Sequence, residues 1–305
     1  MKTIFNTGGH WYRGNLHMHT TQSDGKIPGK EAARIYKDAG YDFIALTDHL
    51  LQSETIEAAD FLQLAGCELD TGSERNPVQE PVYHIIGVGM TKKMEFEHSK
   101  KSHPQEMIDA IRDAGGYAIL AHPFWSLTDP AAVCTLKGLS AAEIYNTFSG
   151  MPWNARPESS FYFDLWAQKG LLMPVTAADD SHLYDGEQTR AYMMVNSSSL
   201  SAKDICTAIG AGNFYASQGP RFENISLSSF GGTQSIEVTC SAVEKIIFYS
   251  DTIYCNDRVA VSKGDRTLIS AKYTVKQTDH FVRIELIDRA GRHAWSSPFG
   301  VGDDD

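Results

Sequence analysis

The stretch Arg13-Gly14-Asn15-Leu16-His17-Met18-His19-Thr20-Thr21-Gln22-Ser23-Asp24-Gly25 decides how this chain is read. Residues two apart on an extended chain face the same way, so the imidazoles of His17 and His19 share one side of a strand. Five residues further on, Asp24 falls in a turn marked by Ser-Asp-Gly. Two imidazoles and a carboxylate, with no thiol beside them, suit a metal ion that takes nitrogen and oxygen donors. Alone the pattern is weak, because a histidine pair on a strand is commonly a satisfied structural feature. Its weight comes from what repeats along the rest of the chain.

From residue 13 to about 217 a cadence recurs: an amphipathic helix ends in glycine, a short apolar strand follows, and a His or Asp closes the strand. A helix over 31–40, stopped by Gly40, leads to a strand over 43–46 and then to Thr47-Asp48-His49. A second helix opens at Ser102 as N-cap with Gln105 at N3 and leads to a strand over 117–121 that delivers His122. A third, over 161–170, precedes a strand over 172–177 and the run Asp179-Asp180-Ser181-His182. A fourth, over 201–211, precedes a strand over 214–217. A helix over 54–65 is expected before the short strand at Glu68. Further strands are expected over 82–89, around His84, and over 142–145, ending at Asn146. Helices alternating with short buried strands imply an α/β fold of parallel βαβ units, with functional groups at the C-terminal strand ends.

Beyond about residue 221 the helical period disappears. Short strands over 225–227, 235–240, 245–249, 258–261, 268–275 and 281–287 alternate with polar and glycine turns, which reads as a small antiparallel β domain. The expected division is residues 1–221 and 222–305, with a frayed tail over 302–305.

Composition bounds the function. The 305 residues are 42% hydrophobic and carry a formal charge of −11. That acidity disfavours nucleic-acid polymers and anionic membranes as partners, though bound metal ions can reverse the local sign of charge. No apolar run reaches the roughly 18 residues of a membrane span, and no apolar signal region opens the chain. Cys67, Cys134, Cys206, Cys240 and Cys255 form no CxxC pair and read as reduced thiols, so the expected location is cytoplasmic.

Eleven histidines are spread along the chain. His17, His19, His49, His84, His122 and His182 fall on or at the ends of expected strands, together with Asp24, Glu68 and Asp180. The other five read as exposed or locally bonded. A mixed shell of imidazole and carboxylate suits Zn, Mn or Fe. Nine candidate ligands exceed what two ions need when positions stay open for water and substrate, so three ions is the natural count, with Glu68 as the bridging carboxylate. Metals about 3.5–4 Å apart can generate a hydroxide and clamp an in-line displacement.

In their order along the chain, His17-Met18-His19 with Asp24, Thr47-Asp48-His49, Glu68, His84, Ala121-His122-Pro123 and Asp180-Ser181-His182 resemble the motifs of the PHP superfamily, named for polymerase and histidinol phosphatase. The resemblance covers residues 13–220. Gly14-Asn15-Leu16-His17 and Tyr215-Ala216-Ser217-Gln218-Gly219-Pro220 also resemble the CehA/McbA-like branch. The resemblance implies a distorted (β/α)7 barrel, two or three divalent metal ions at its mouth, and hydrolysis of phosphate mono- or diesters. It places His17, His19, Glu68 and Asp180 around one metal, Glu68, His84 and His122 around a second, and Asp24, His49 and His182 around a third. Some relatives carry histidine at the Asp24 position and some bind only two metals, so Asp24 decides the third site.

The expected function is therefore a metal-dependent phosphoesterase acting on a small phosphorylated metabolite or nucleotide, by attack of metal-bound hydroxide on phosphorus. Asp180 and Glu68 are the catalytic carboxylates, and His182 protonates the leaving oxygen if no metal claims it. Arg190 and Arg156, ahead of Arg13 and Arg221, are the candidates to grip phosphate, with Asn146 as a further substrate contact. Phe124, Trp125, Met151 and Trp153 are candidate pocket walls. Asp48 is either an orienting carboxylate or a turn residue, and Asp179 competes with Asp180. The alternatives are a metallohydrolase of esters, carbamates or amides, and a non-catalytic binding module.

Overall fold

Strands buried on both faces need apolar residues at every position. Gly66–Thr71, Tyr83–Val88 and Val175–Ala178 are each buried along their whole length, and the polar Glu68, Asp70 and His84 stand out among their apolar residues. In the computed structural model, which describes residues 2–5, 8–254 and 256–302, they belong to a five-stranded sheet. Its order is Val175–Ala178, Leu139–Asn146, Tyr117–Leu120, Tyr83–Val88, Gly66–Thr71. The first three run parallel and the last two pair antiparallel.

A larger mixed sheet carries His10–Asn15, Phe43–Ala45 and Phe61–Leu64 in parallel, flanked by Tyr192–Ser197 and Phe214–Ser217. The two sheets meet through single bridges, Met18 with Ser181 and His49 with Glu68. Hydrogen bonds from Asp180 N–H to the His17 carbonyl (2.9 Å) and from Leu50 N–H to the Glu68 carbonyl (2.8 Å) support these contacts. Among the described residues no continuous ladder closes the sheets into a barrel. The fold is α/β, with a large mixed sheet and few helices.

The helices follow their sequence cues closely. Gly29–Asp38 buries Ala32 and Tyr36, four residues apart on one face, and Gly40 follows at φ +80°. Pro104–Asp113 buries Met107, Ile108 and Ile111. Its N-cap is His103 rather than Ser102, and the capping box closes with Glu106 rather than Gln105. Ser160–Gln168 and Ala202–Gly210 lie where expected.

Residues 54–65 are not helical. They form the hairpin Ile56–Ala58 and Phe61–Leu64, whose second strand runs parallel to Phe43–Ala45. Phe61, Leu62 and Leu64 are buried there, so joining the sheet outweighs local helix propensity. The strand over 172–177 begins only at Val175, past Pro174, which lacks an N–H. His17 and His19 stand beyond the end of His10–Asn15, and only Met18 between them makes a β-bridge, to Ser181 past the end of Val175–Ala178.

In the C-terminal part the expected strands are present, the first as the longer Phe222–Phe230. Phe222–Phe230, Thr233–Val243 and Leu268–Thr274 make a separate sheet with Lys2–Thr3. The remaining strands extend the large sheet, because His293–Trp295 pairs with Phe214–Ser217. Arg283, almost wholly buried, lies over the Tyr249 ring at 3.8 Å and donates twice to Asp164 on helix Ser160–Gln168, at 2.6 and 2.8 Å. Gly302 exchanges two hydrogen bonds with the Gln234 side chain instead of fraying. Asp303, Asp304 and Asp305, like Cys255, lie outside the described residues. Cys67, Cys134, Cys206 and Cys240 are free thiols. Among the described residues no helix is long and apolar enough to cross a membrane.

Candidate metal centre

The end of His10–Asn15 presents His17 and His19, the end of Phe43–Ala45 presents His49, the end of Tyr117–Leu120 presents His122, and the end of Val175–Ala178 presents Asp180 and His182. Glu68 and His84 come from within the neighbouring strands Gly66–Thr71 and Tyr83–Val88, where Glu68 pairs with Ile86 and His84 with Asp70. They are thus diagonal neighbours on one face.

Glu68 is the hub. One carboxylate oxygen lies 2.8 Å from His84 Nδ1 and 3.7 Å from His122 Nε2. The other lies 3.3 Å from His17 Nε2, 3.1 Å from His19 Nε2 and 3.3 Å from His49 Nδ1. Asp180 Oδ1 stands 3.0 Å from His17 Nε2 and 3.1 Å from His19 Nε2. At the rim, Asp24 is 3.4 Å from His19, 3.7 Å from His49 and 3.5 Å from His182. Potential ligand atoms cluster within 4.8 Å of one another in three sets: His17, His19, Glu68 and Asp180; Glu68, His84 and His122; and His19, Asp24, His49 and His182. These are the groupings drawn from the motifs, with His19 shared as well as Glu68. A fourth set, Asp70, Glu74 and His84, has no counterpart in the sequence motifs.

The ring nitrogens that face away from the centre are held by the protein. His17 Nδ1 is 2.8 Å from Glu143, His122 Nδ1 is 3.0 Å from the Ser126 hydroxyl, and His182 Nδ1 is 2.7 Å from the Asp180 carbonyl. This leaves the Nε2 atoms of His17 and His122 facing inward, the arrangement that fixes tautomer and ring orientation in metal-binding histidines. His182 is stacked between His19 (centroids 4.1 Å apart) and Phe148 (4.3 Å).

The electrostatics follow from this crowding. Burial opposes protonation of His19, yet Asp180 and Glu68 outweigh it and carry the imidazole to about 9. Burial likewise opposes protonation of His84, and Glu68 and Glu74 bring it to about 9. Burial pushes the Glu68 and Asp180 carboxyls up, but the surrounding imidazoles hold both well below the usual carboxylate range. For His49 burial dominates and lowers the imidazole.

A second tier of side chains holds these groups. Asp48 accepts from Thr20 N–H and Ser23 Oγ at 2.8 Å each, which pins the loop carrying Asp24; among the described residues its hydrogen bonds go to this loop and not to an imidazole. Asp179 is fully buried and accepts from Asn15, Tyr36, Thr147 and the amides of Thr189, Arg190 and Ala191. Burial raises its carboxyl to about 6 against those donors. It is a structural post, and Asp180 faces the centre. Glu143 and Glu187 are not among the sequence candidates. Glu143 holds His17, while Glu187 accepts from the amides of His182, Leu183, Tyr184 and Asp185. Only their burial as carboxylates distinguishes them, and that is not visible in the sequence.

A cavity of about 360 Å³ opens over the centre, walled by Trp125, Phe148 and Asn154. Asn154 ties the walls together, accepting from Trp125 Nε1 (3.2 Å) and donating to the Phe148 carbonyl (3.0 Å). Trp153, 77% exposed, lies outside this wall, as do Met151 and Phe124. Arg190 donates to the Gly186 carbonyl at 2.8 Å and does not line the cavity. Arg13 stacks between Tyr41 and Tyr192, 4.0 Å from each ring, and Arg221 packs its backbone against Ser241. Arg156 lines an adjoining cavity of about 210 Å³, which shares Glu74 and Trp125 with the first. Asn146 is buried behind the centre, donating to Glu143 (2.8 Å) and Asp180 (3.2 Å).

No family model matches the chain. Its fold is shared with a two-domain protein from Bacteroides vulgatus, described as containing a predicted PHP-like metal-dependent phosphoesterase. That likeness has a TM-score of 0.53 at 14% identity and covers 99% of this chain and 97% of that one. The likeness shows a fold shared along nearly the whole of both chains. An amidohydrolase from Chromobacterium violaceum matches more loosely, with a TM-score of 0.39 at 14% identity over 57% of this chain and 89% of that one. In sequence, an uncharacterised protein of Methanocaldococcus jannaschii is 24% identical over 154 residues, 45% of this chain and 82% of that protein.

Proposed function

We propose that this chain is a metal-dependent phosphoesterase that hydrolyses phosphate esters of a small metabolite or nucleotide. The observation that carries the reading is the convergence of nine acidic and imidazole side chains into three overlapping sets around Glu68. The donor set fits divalent metal ions on grounds of its own. Among the described residues, His49 Nδ1, His84 Nε2 and Asp180 Oδ1 are buried and make no hydrogen bond of good geometry, although His49 Nδ1 and Asp180 Oδ1 stand 3.0–3.3 Å from other ligand atoms; a cation between these groups would relieve that costly state. The residues that would hold it are His17, His19, Glu68 and Asp180 for one ion, Glu68, His84 and His122 for a second, and Asp24, His49 and His182 for a third. Nitrogen and oxygen donors without sulfur suit zinc, manganese or iron. Such ions, when bound, activate water near neutral pH and neutralise phosphoryl oxygens.

The chain's own residues then divide the work. Glu143 and Ser126 fix the imidazoles of His17 and His122, and Asp180 and Glu68 set where the attacking water sits. His182 lines the cavity and is held flat by Phe148; with the third ion absent its Nε2 is free to give a proton to the leaving oxygen, and with that ion bound it serves as a ligand instead. Trp125 and Phe148 keep bulk water from the reacting centre. We read the seven strands around this centre as a distorted barrel open at its two single-bridge seams, with residues 222–305 as an attached β domain.

The test is a substrate panel run on protein loaded in turn with Zn, Mn and Fe, with metal content measured in parallel. Phosphate release from at least one phosphate ester, abolished by His19→Ala, is expected. Turnover of carboxyl esters, carbamates or amides with no phosphate release would establish the rival hydrolase. No turnover at all from fully loaded protein would favour a binding module.

A further inference from the structure

Every acidic and imidazole group lining the cavity except Glu74 belongs to the proposed metal sets, but one lining residue is of another kind. Lys26 is the one lysine or arginine, among the described residues, that lines the cavity over the centre. None of the four arginines suggested by the sequence does so. Lys26 is exposed, and its ammonium makes no ion pair or hydrogen bond among the described residues. In a chain with a formal charge of −11, a lysine that lines the same cavity as four carboxylates and pairs with none of them is available to a ligand.

Its backbone is built into the site. Lys26 N–H donates to the His182 carbonyl at 2.7 Å, and Gly25 N–H donates to the Thr20 carbonyl at 2.9 Å. A Cβ at Gly25 would come within 2.5 Å of the His19 backbone, so only glycine lets the loop pack closely enough to present the next residue. Asp48 pins the start of the same loop through Thr20 and Ser23. Asp24 and Lys26, two apart, both line the cavity, while the Asp24 carboxylate is engaged by His19, His49 and His182.

Resting on the phosphoesterase reading, we propose that Lys26 is the substrate-binding cation of this centre and that it selects phosphate monoesters. Its ammonium takes the phosphoryl oxygens that face away from the Glu68 hub. A monoester carries close to two negative charges above a second pKa of about 6, whereas a diester carries one and a carboxyl ester none. A single compact cation therefore rewards the monoester most.

The experiment titrates inorganic phosphate into metal-loaded wild type, Lys26→Met and Lys26→Arg by calorimetry, and compares steady-state kinetics on a monoester and a diester. Phosphate affinity should fall roughly tenfold in K26M and stay within about threefold in K26R, the loss expected for one charge-assisted hydrogen bond. The monoester KM should rise by a similar factor with kcat nearly unchanged, the pattern of lost ground-state binding, and the diester KM should rise by a clearly smaller factor. Because Lys26 is exposed, both variants should melt like wild type. Unchanged phosphate affinity in K26M, with wild type active on monoesters, overturns the role of Lys26 alone. Wild type that neither binds phosphate nor hydrolyses any phosphate ester overturns the underlying reading as well.

Discussion

Glu143→Gln offers the sharpest test of how the centre is held. One oxygen of Glu143 takes His17 Nδ1 at 2.8 Å, and the other takes His122 N–H at 2.9 Å and Asn146 Nδ2 at 2.8 Å. Glutamine has the same shape but only one accepting oxygen. Turned to keep the two bonds to His122 and Asn146, it points its NH2 at His17. The buried Nδ1–H then loses its acceptor, at about 1–3 kcal/mol. Independent experience with orienting partners of metal-bound histidines gives a loss of roughly 10–100-fold in metal affinity. That is about 1.4–2.7 kcal/mol, so the two routes agree. Chelator competition with the first-bound metal ion should show this loss, while the metal-free melting temperature drops by only a few degrees. Affinity within about twofold of wild type would refute the claim that Glu143 acts through His17. So would an affinity loss matched by wholesale unfolding.

Two further perturbations separate other parts of the molecule. Asp24→Asn removes the exposed rim carboxylate that faces His19, His49 and His182, so bound metal measured by elemental mass spectrometry should fall by one equivalent; unchanged stoichiometry would remove Asp24 from the ligand set. Far from the centre, burial opposes protonation of His293, but its contact with Glu285 outweighs that and raises the imidazole above its usual 6.5. A raised folded pKa means stability that is complete below about 6.5 and lost as pH rises through the folded value. The melting temperature of metal-free wild type should therefore exceed that of His293→Gln most at pH 6 and converge with it in alkali; a gap that stays constant from pH 6 to 10 would deny the ion pair.

His49, His122 and Asp180 are legible in the sequence because each closes an apolar run, and a parallel strand delivers its C-terminal end to the functional face. The clustering of Glu68 with His84 is legible only through the motif order, since they lie mid-strand and meet diagonally across a ladder. What the sequence conceals has three physical causes. Residues 54–65 carry an amphipathic period that fits a helix, and only the open edge beside Phe43–Ala45 decides for a strand. Glu143 and Glu187 are ordinary glutamates until burial makes them acceptors for several donors at once. The arginine candidates do not line the cavity over the centre, because reach to it depends on loop direction, and Arg156 lines only the adjoining one. Arg190 turns back to Gly186 while the unremarkable Lys26 is carried to the rim by a glycine.

The same loops store strain, and its location says how the centre is organised. Leu50, His122 and Asp180 are non-glycine residues at φ +60°, +25° and +53°. Each follows or forms a ligand-bearing strand end, and each turns its N–H into a bond that ties the site: to the Glu68 carbonyl (2.8 Å), to Glu143 (2.9 Å) and to the His17 carbonyl (2.9 Å). Left-handed backbone at such residues costs roughly 1–3 kcal/mol apiece, which these bonds and the surrounding packing offset. If the chain sets the positions of the ligands before any metal arrives, the strain must be separable from the ligands. Leu50 allows the separation, because the residue is 45% exposed and belongs to none of the ligand sets. Asparagine tolerates this conformation far better than leucine. Leu50→Asn should therefore raise stability by about 0.5–1 kcal/mol in metal-free protein, read from urea denaturation, and leave metal affinity unchanged. A destabilised variant would show that the turn is held by the leucine side chain and not by the bond to Glu68. A stabilised variant with weakened metal binding would show that the strain itself positions His49.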